Sequence, residues 1–225
     1  MDPGDLLAVV ARHVDETAAS ASPGPRLVAV DGADGAGKST FATGLAGVLR
    51  RSGCEVHQVS VDGFHHRRDR RYARGRRSPA GFWLDSYDYE ALRLELLVPW
   101  RRGSGSYRAA VRDVRTDTAV ESPSRAVPPR GVLVVDGIFL LRDELAGSWD
   151  LTIRLEATPP QRFRRMARRD GSPADPHHPD NRRYRLGQRL YERVCDPTAR
   201  ADLVIGCDDW DDPQLLRSPR KPVDP

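Results

Sequence analysis

One lysine stands where the rest of the chain would place an arginine. Among the 36 basic residues only Lys38 and Lys221 are lysines, and Lys38 belongs to "GADGAGKS", which runs from Gly32 to Ser39. This run fits the spacing G-x-x-x-x-G-K-[ST] without a mismatch. In that pattern the glycines let backbone N–H groups turn inward around phosphate oxygens, and the compact lysine ammonium reaches the β- and γ-phosphates. The chemistry expected here is the binding of a nucleoside triphosphate.

The same run predicts a magnesium contact, because a serine hydroxyl follows the lysine and Thr40 can support it. The alternative is a glycine turn that only caps a helix. The position of the run after an apolar strand and before a helix favours phosphate binding, since a helix N-terminus attracts anions. The predicted nucleotide-binding residues are Gly32, Ala33, Asp34, Gly35, Ala36, Gly37, Lys38, Ser39 and Thr40.

Two aspartates end predicted strands and could complete a phosphoryl-transfer site. Asp136 ends "GVLVVDG" and is predicted to hold Mg²⁺ directly or through water; the alternative is a strand-end residue that caps the next turn. Asp62 ends the second strand in "VSVDGFHH" and is predicted to accept the proton of a substrate hydroxyl. The alternative for Asp62 is an Asx-turn residue before Gly63.

An arginine-rich helix, "QRFRRMARRD", precedes a polar loop and is interpreted as a lid that neutralises phosphate charge and excludes water. The alternative is a solvated helix face, since arginine is common throughout the chain. Two histidine pairs lack a third ligand nearby, so surface loops are expected there rather than a metal site. The arginines are Arg162, Arg164, Arg165, Arg168 and Arg169, with Arg182, Arg183 and Arg185 beyond the loop; the histidines are His65, His66, His177 and His178.

Strands and helices alternate along the chain, which indicates a mostly parallel sheet with helices on both faces. Strands are predicted over 26–32, 54–62, 131–137, 149–157 and 201–206. Helices are predicted over 5–18, 38–53, 86–100, 159–170 and 182–195. The remaining segments are expected to be loops over 63–85 and 171–181, a hairpin-like excursion over 103–130 and a fraying tail over 207–225.

The composition fits one globular domain, with 225 residues, 39% hydrophobic and 30% charged residues, and a net charge of +4. We expect a leading helix and linker over 1–25, a core over 26–206 and the tail. Three cysteines without a CxxC pair argue against a zinc site or a disulfide framework and fit a reducing cytosol. The N-terminus does not read as a signal peptide, and the longest apolar stretch is too short to cross a membrane.

Several segments, in this order, resemble the uridine kinase, phosphoribulokinase and bacterial pantothenate kinase group of P-loop kinases. They are "GADGAGKST", "VSVDGF", "GFWLDSYDYEAL", "VLVVDGIFLL", "WDLTIRLEATPPQRFRRMARRD" and "ADLVIG", and they span about 26–206. "GQRLY" and "DPTARADLVI" are closest to uridine kinase-like proteins, whereas "DGFHH" with "GFWLDSYD" is closer to pantothenate kinases.

The resemblance implies a P-loop NTPase fold with Asp62 as catalytic base, Lys38 and Arg169 in catalysis, and Arg165 as a further phosphate or substrate contact. It also implies that Asp85 or Asp88 lies near the acceptor. On the excursion, uridine kinases read the pyrimidine with aromatic residues and a histidine; here Asp113 remains, but Arg112 and Val114 replace the aromatics. Arg112 and Asp113 complete the predicted acceptor site.

The activity expected is Mg²⁺-dependent transfer of the γ-phosphoryl group from ATP or GTP to a small alcohol. A nucleoside such as uridine or cytidine is the first candidate, and a pantothenate-like or sugar acceptor is the second. A rival of another class is a nucleotide-binding switch that hydrolyses its triphosphate without an acceptor. The expected partners are the triphosphate and the acceptor, without nucleic acid or membrane, and a homo-oligomer stays open.

Overall fold

The computed structural model describes residues 1–20 and 24–218, with only the backbone described for 18–20. Residues 21–23 of the predicted linker over 20–25 and residues 219–225 of the predicted tail lie outside the described residues.

Strands and helices alternate in the described part as the sequence predicts. The helices are α1 Pro3–Ser20, α2 Lys38–Arg51, α3 Arg68–Arg71, α4 Pro79–Asp85, α5 Tyr89–Leu92, α6 Val98–Arg102, α7 Pro159–Asp170, α8 Arg182–Cys195 and α9 Pro197–Arg200. The strands are β1 Arg26–Gly32, β2 Val56–Ser60, β3 Ser106–Tyr107, β4 Arg112–Asp113, β5 Thr118–Ala119, β6 Arg125–Ala126, β7 Val132–Gly137, β8 Leu151–Glu156, β9 Leu203–Gly206 and β10 Gln214–Arg217.

A six-stranded sheet forms the centre, in the order β10-β9-β8-β1-β7-β2, and only β10 is antiparallel. The middle strands β1 and β7 are buried over their whole length, as strands covered on both faces must be. Their register pairs Val30 with Asp136, and β2 pairs Ser60 with the same Asp136. The carboxyl ends of β1, β2 and β7 therefore lie at one edge of the sheet, where the predicted site residues follow them. The predicted α/β fold class is confirmed.

Side chains that alternate along β1 build two separate cores. Val28 and Val30 pack with α1 and α2 on one face of the sheet. Leu27 and Ala29 pack on the other face with aromatic side chains of α4 and α8, such as Phe82 and Tyr191. Since both faces are closed by helices, the open edge at the strand ends is where a ligand has access.

In place of the helix predicted over 86–100, the structure has a helical segment from residue 89 to residue 102 that contains one irregular turn. Asp88 is the N-cap of this segment. A π-helical turn over Arg93–Leu97 precedes Pro99, which has no N–H to donate into the helix. The carbonyl oxygen of Glu95, four residues before this proline, accepts instead from the N–H of Arg108 at 2.9 Å. The irregular turn thus joins the helix to the excursion.

Three parts of the sequence-based prediction differ from the structure. The segment predicted as a loop over 63–85 contains α3 and α4, because Ser78 caps α4 and Phe82 and Trp83 bury against the core. The predicted tail contains β10, which pairs with β9 as an antiparallel edge strand. A short helix, α9, links α8 to β9. Across the described residues, no helix has the length and apolar character that a membrane crossing needs.

Candidate functional site

The glycine-rich loop has the geometry of an anion cradle. Gly35 and Gly37 have φ angles of +76° and +90°, which side chains rarely adopt. A Cβ on Gly35 would lie 2.3 Å from the carbonyl oxygen of Arg162, so the loop is pressed against α7. α2 begins directly after Gly37 and has no side-chain cap. The first N–H groups of α2 therefore have no partner within the helix and can bind an anion.

Lys38 lies inside this loop, and its Nζ donates to the carbonyl oxygen of Ala33 at 2.9 Å. Burial lowers the pKa of Lys38, and nearby carboxylates, led by Asp34 and Asp62, oppose that shift. Burial also raises the pKa of Asp34, although Lys38 opposes that shift. The ammonium is thus surrounded by acids from several elements, as it would be in a site where a cation must also bind.

Asp136 is the central acid of the site, with 2% of its surface exposed. Its Oδ2 accepts from the hydroxyl of Ser39 at 2.7 Å, and its Oδ1 accepts from Nε2 of Gln58 at 3.4 Å. Gln58 is itself held through its Oε1 by the hydroxyl of Thr43 at 3.2 Å. Burial raises the pKa of Asp136, and the bonds to Ser39 and Gln58 oppose that shift. In the described residues its carboxylate accepts from side chains and caps no turn.

The residues around Asp136 fit a magnesium ion. Mg²⁺ prefers oxygen ligands and is bound by few carboxylates together with substrate phosphates. Ser39 and Asp136 bring a hydroxyl and a carboxylate within 2.7 Å of each other beside the anion cradle. These two side chains would hold the ion, which would neutralise phosphate charge.

Asp62 lies in the turn after β2 and accepts at Oδ1 from the hydroxyl of Tyr87 at 2.8 Å. The carbonyl oxygen of Asp62 lies 2.8 Å from Nδ1 of His65, whose ring packs 4.3 Å from that of Tyr87. Burial, and then the charge of Asp62, raise the pKa of Tyr87 well above its usual value, so its hydroxyl stays protonated and donates. Because no backbone N–H donates to the Asp62 carboxylate in the described chain, the Asx-turn alternative is not what forms.

Arg169 lies at the end of α7 with 65% of its side chain exposed, paired with Asp170 at 2.7 Å. The bond to Asp170 raises the pKa of Arg169, and the charges of Asp34 and Asp62 add to that effect. The charges of Asp34 and Asp62 therefore act on the guanidinium of Arg169. Among the described residues the hydrogen-bond partner of the Arg169 side chain is Asp170, so the catalytic role of Arg169 stays a prediction.

Arg165 does not face the acceptor side. Its NH2 group donates to the carbonyl oxygens of Cys207 and Asp208 at 2.6 and 2.9 Å, and NH1 donates to Gly35 at 3.4 Å. Its guanidinium also lies 5.9 Å from the ring of Trp210. Arg165 therefore joins the glycine-rich loop to the segment after β9, in place of the predicted acceptor contact.

The predicted acceptor residues fall into two groups. Asp88 and Arg112 line a pocket of about 710 Å³ next to the Asp62 turn, together with His65 and His66. Asp85 and Asp113 do not line it. Asp85 pairs with Nε of Arg74 at 3.0 Å, and Asp113 accepts from the N–H groups of Arg115 and Thr116 at 2.7 and 3.3 Å and so closes the β4–β5 turn.

Sequence reasoning missed three residues that the structure places at the site. Tyr87 belongs to "SYDYEAL", but the motif alone does not show that its hydroxyl meets Asp62. Gln58 lies two residues before Ser60 on β2, and strand alternation could have placed it on the side of Asp136. Trp210 packs against Gly37, where a Cβ would lie 2.5 Å from its ring, and no sequence signal in the predicted tail points to that contact.

No protein-family model and no curated protein matches the chain. Solved structures do match. One is described as a possible uridine kinase from Bacillus stearothermophilus, with 22% identity and a TM-score of 0.70 over 89% of this chain and 97% of that one.

Two further structures match over most of both chains. A "putative fructose transport system kinase" from Silicibacter sp. TM1040 is 28% identical, with a TM-score of 0.67 over 83% of this chain and 94% of that one. A D-glycerate 3-kinase from Cryptococcus neoformans var. grubii is 11% identical, with a TM-score of 0.60 over 94% and 99%. The chain has the P-loop kinase fold, and its predicted resemblance to the uridine kinase, phosphoribulokinase and pantothenate kinase group is confirmed.

Proposed function

We propose that the chain is a kinase that transfers the γ-phosphoryl group of a nucleoside triphosphate to a hydroxyl of a small molecule. The observation that carries the proposal is Asp62. Its carboxylate accepts from the hydroxyl of Tyr87 at 2.8 Å, and its charge acts on Lys38, the lysine that would bind the phosphates. A nucleotide switch does not need such an acid, whereas a kinase needs one facing the acceptor.

In the proposed reaction the acceptor O–H donates a proton to Asp62 while its oxygen attacks the γ-phosphorus in line. A new P–O bond forms, the bond from the γ-phosphorus to the bridging oxygen breaks, and the nucleoside diphosphate leaves; the proton passes from Asp62 to solvent. Lys38 and the N–H groups at the start of α2 bind the phosphates, and Arg169 stabilises the charge that spreads over the transferring group.

The names of the similar kinases refer to three different compounds, namely uridine, fructose and D-glycerate. The acceptor is therefore inferred from this chain's own pocket. Among the described residues, the lining of the pocket next to the Asp62 turn contains no phenylalanine, tyrosine or tryptophan on which a base could stack. This lining favours the second acceptor class of the sequence analysis, pantothenate-like or sugar-like alcohols, over a nucleoside.

The test is release of diphosphate by the purified full chain with MgATP or MgGTP and a panel of uridine, cytidine, pantothenate and simple sugars. Stimulation by at least one acceptor is expected. Turnover that no acceptor in a broad panel stimulates would favour the switch and would refute the proposal.

Two variants assign the roles. Lys38→Ala should lose turnover by roughly 100-fold or more. Asp62→Asn should lose transfer by about 100-fold or more while it binds ATP within about twofold of the parent chain. Asp180→Asn is the matched control, since Asp180 is exposed and pairs only with surface groups such as Arg77. Loss of ATP binding in Asp62→Asn would show that Asp62 supports the nucleotide site rather than the acceptor.

A further inference from the structure

The pocket beside Asp62 has an unusual set of charges that bears on the acceptor, and the inference drawn from it rests on the proposed kinase function. Three segments form this acceptor pocket: the turn and α3 after β2, the start of α5, and the excursion at β4. Its charged and polar lining includes His66, Arg67, Asp69, Arg70, Asp88 and Arg112.

The excursion is fastened to the segment that carries Asp62. The N–H of Val111 donates to the carbonyl oxygen of Gly63 at 2.8 Å. A Cβ on Gly63 would lie 2.9 Å from the carbonyl oxygen of Ala109, so the two backbones touch. Farther along, the N–H of Arg68 donates to the carboxylate of Asp117 at 2.9 Å. The pocket walls are therefore built by specific contacts, and Arg112 is held on the same side as the Asp62 turn.

Of the three arginines in the lining, Arg70 and Arg112 have no acidic partner in the described part of the chain, whereas Arg67 has one. Arg67 is neutralised by Asp69, at 3.3 Å. The guanidinium of Arg70 has no hydrogen-bond or ion-pair partner among the described residues. Arg112 donates only to the carbonyl oxygen of Asp117, at 2.9 Å, which leaves its charge uncompensated. Two cationic groups are thus available to a ligand.

The remaining polar groups do not cancel this charge completely. Asp88 accepts from the N–H of Ala91 at 2.9 Å and caps α5, and its other oxygen lies 3.6 Å from Nδ1 of His66. Burial, and then the charge of Arg70, lower the pKa of His66, so this ring is neutral near pH 7. The balance is two guanidiniums without an acidic partner among the described residues, those of Arg70 and Arg112, against the single carboxylate of Asp88.

We propose that the acceptor carries an anionic group, a carboxylate or a phosphate, which Arg70 and Arg112 bind while its reactive hydroxyl lies at Asp62. Guanidinium groups suit both anions because their planar N–H groups match the oxygen geometry. Asp88 would accept a hydrogen bond from another hydroxyl of the same molecule. The acceptor class is therefore a hydroxy acid or a sugar phosphate rather than a neutral nucleoside or free sugar.

The test uses acceptors in matched pairs that differ only in the anionic group: glycerol with glycerate and with glycerol 3-phosphate, fructose and ribose with their monophosphates, and pantothenate with its alcohol analogue. Uridine and cytidine are the nucleoside arm. We expect kcat/KM for an anionic member to exceed that of its neutral partner by about tenfold or more. Carboxylate and phosphate arms show which of the two anions binds.

Charge removal at the two arginines identifies the site. Arg70→Gln and Arg112→Gln should raise KM for the preferred anionic acceptor by roughly 10- to 100-fold with a smaller change in kcat, and should leave KM for ATP unchanged. Arg77→Gln is the matched control, because Arg77 is an exposed arginine that pairs with Asp180 and does not line this pocket. The Arg70 side chain makes no hydrogen bond or ion pair among the described residues, so Arg70→Gln should fold normally.

The outcomes separate the two proposals. If no acceptor stimulates turnover, the kinase proposal itself fails. If neutral acceptors are phosphorylated as well as their anionic partners and Arg70→Gln changes nothing, the kinase stands and the anionic acceptor is wrong. An equal effect of Arg77→Gln would mean that overall charge, rather than the Arg70 and Arg112 pair, attracts the acceptor, which also overturns the assignment.

Discussion

A buried ion pair beneath the glycine-rich loop offers a direct test of how the fold supports the site. Asp31 immediately precedes Gly32 and is fully buried, and NH1 of Arg154 on β8 donates to it at 2.6 Å. The hydroxyl of Tyr191 donates to the same oxygen at 3.1 Å, and the N–H of Leu140 donates to the other at 3.0 Å. Asp31 thus joins the strand before the loop to the segment after Asp136.

Arg154→Met keeps much of the side-chain volume but removes the charge. The Asp31 carboxylate would remain buried with only two neutral donors. Removing one partner of a buried pair costs about 3–5 kcal/mol, because the other charge is left uncompensated. For a chain of this length each kcal/mol corresponds to about 2–4 °C in Tm, so the variant should melt roughly 6–20 °C lower.

The assay is reversible unfolding in guanidinium chloride, with thermal melting as a second readout. Arg77→Met is the matched control: its pair with Asp180 has nearly the same length, 2.7 Å, but both side chains are exposed, so its loss should cost less than about 1 kcal/mol. The double variant Asp31→Asn with Arg154→Met removes both charges and should be less destabilised than the sum of the two single variants.

Two results would refute this reasoning. Arg154→Met could be as stable as Arg77→Met, which would mean that Asp31 is relieved by solvent or by protonation at little cost. Alternatively, the effects of Asp31→Asn and Arg154→Met could simply add in the double variant. The pair would then have no coupling, and the stability lost would come from packing.

Two further predictions concern residues that hold the candidate catalytic groups. Tyr87→Phe removes the hydroxyl 2.8 Å from Asp62 but keeps a ring that is 4% exposed. We therefore expect kcat to fall by roughly tenfold while KM for ATP and Tm change little. Steady-state kinetics with an unchanged kcat would exclude a positioning role for Tyr87. Gln58→Leu removes the donor 3.4 Å from Asp136, so the Mg²⁺ concentration for half-maximal turnover should rise by roughly tenfold. A magnesium titration that superimposes on that of the parent chain would contradict a role of Gln58 in positioning Asp136.

The nucleotide side of the site could be predicted from sequence because its geometry is local. The loop from Gly32 to Ser39 follows a buried strand and opens a helix, and this order alone fixes where the N–H groups point. Asp136 could be placed because parallel strands bring their carboxyl ends to one edge, and the register of Val30 with Asp136 realises that expectation. Its hydrogen bonds to Ser39 and Gln58 could not be predicted, since they join three separate elements.

The errors in the fold prediction have a common physical origin. Helix α4 is seven residues long and contains Gly81, so it lacks the repeated apolar spacing that indicates a helix in sequence. Its stability comes from burial of Phe82 and Trp83 against residues that are distant in the chain. Strand β10 is four residues long and largely exposed, and it forms because β9 offers an unpaired edge. Tertiary contacts rather than local propensity decide both segments.

The position of the predicted acceptor residues depends on contacts of the same non-local kind, so the structure brings only some of them to one pocket. Of the acidic residues expected near the acceptor, Asp88 lines the pocket. Asp113 instead accepts from the N–H groups of Arg115 and Thr116 in the β4–β5 turn. Arg70 has no motif around it, and it lines this pocket together with Val111 and Arg112 because the excursion docks on Gly63. A short segment docked by backbone contacts can change its side chains without changing the fold, so specificity for the acceptor can vary while the phosphate loop stays the same.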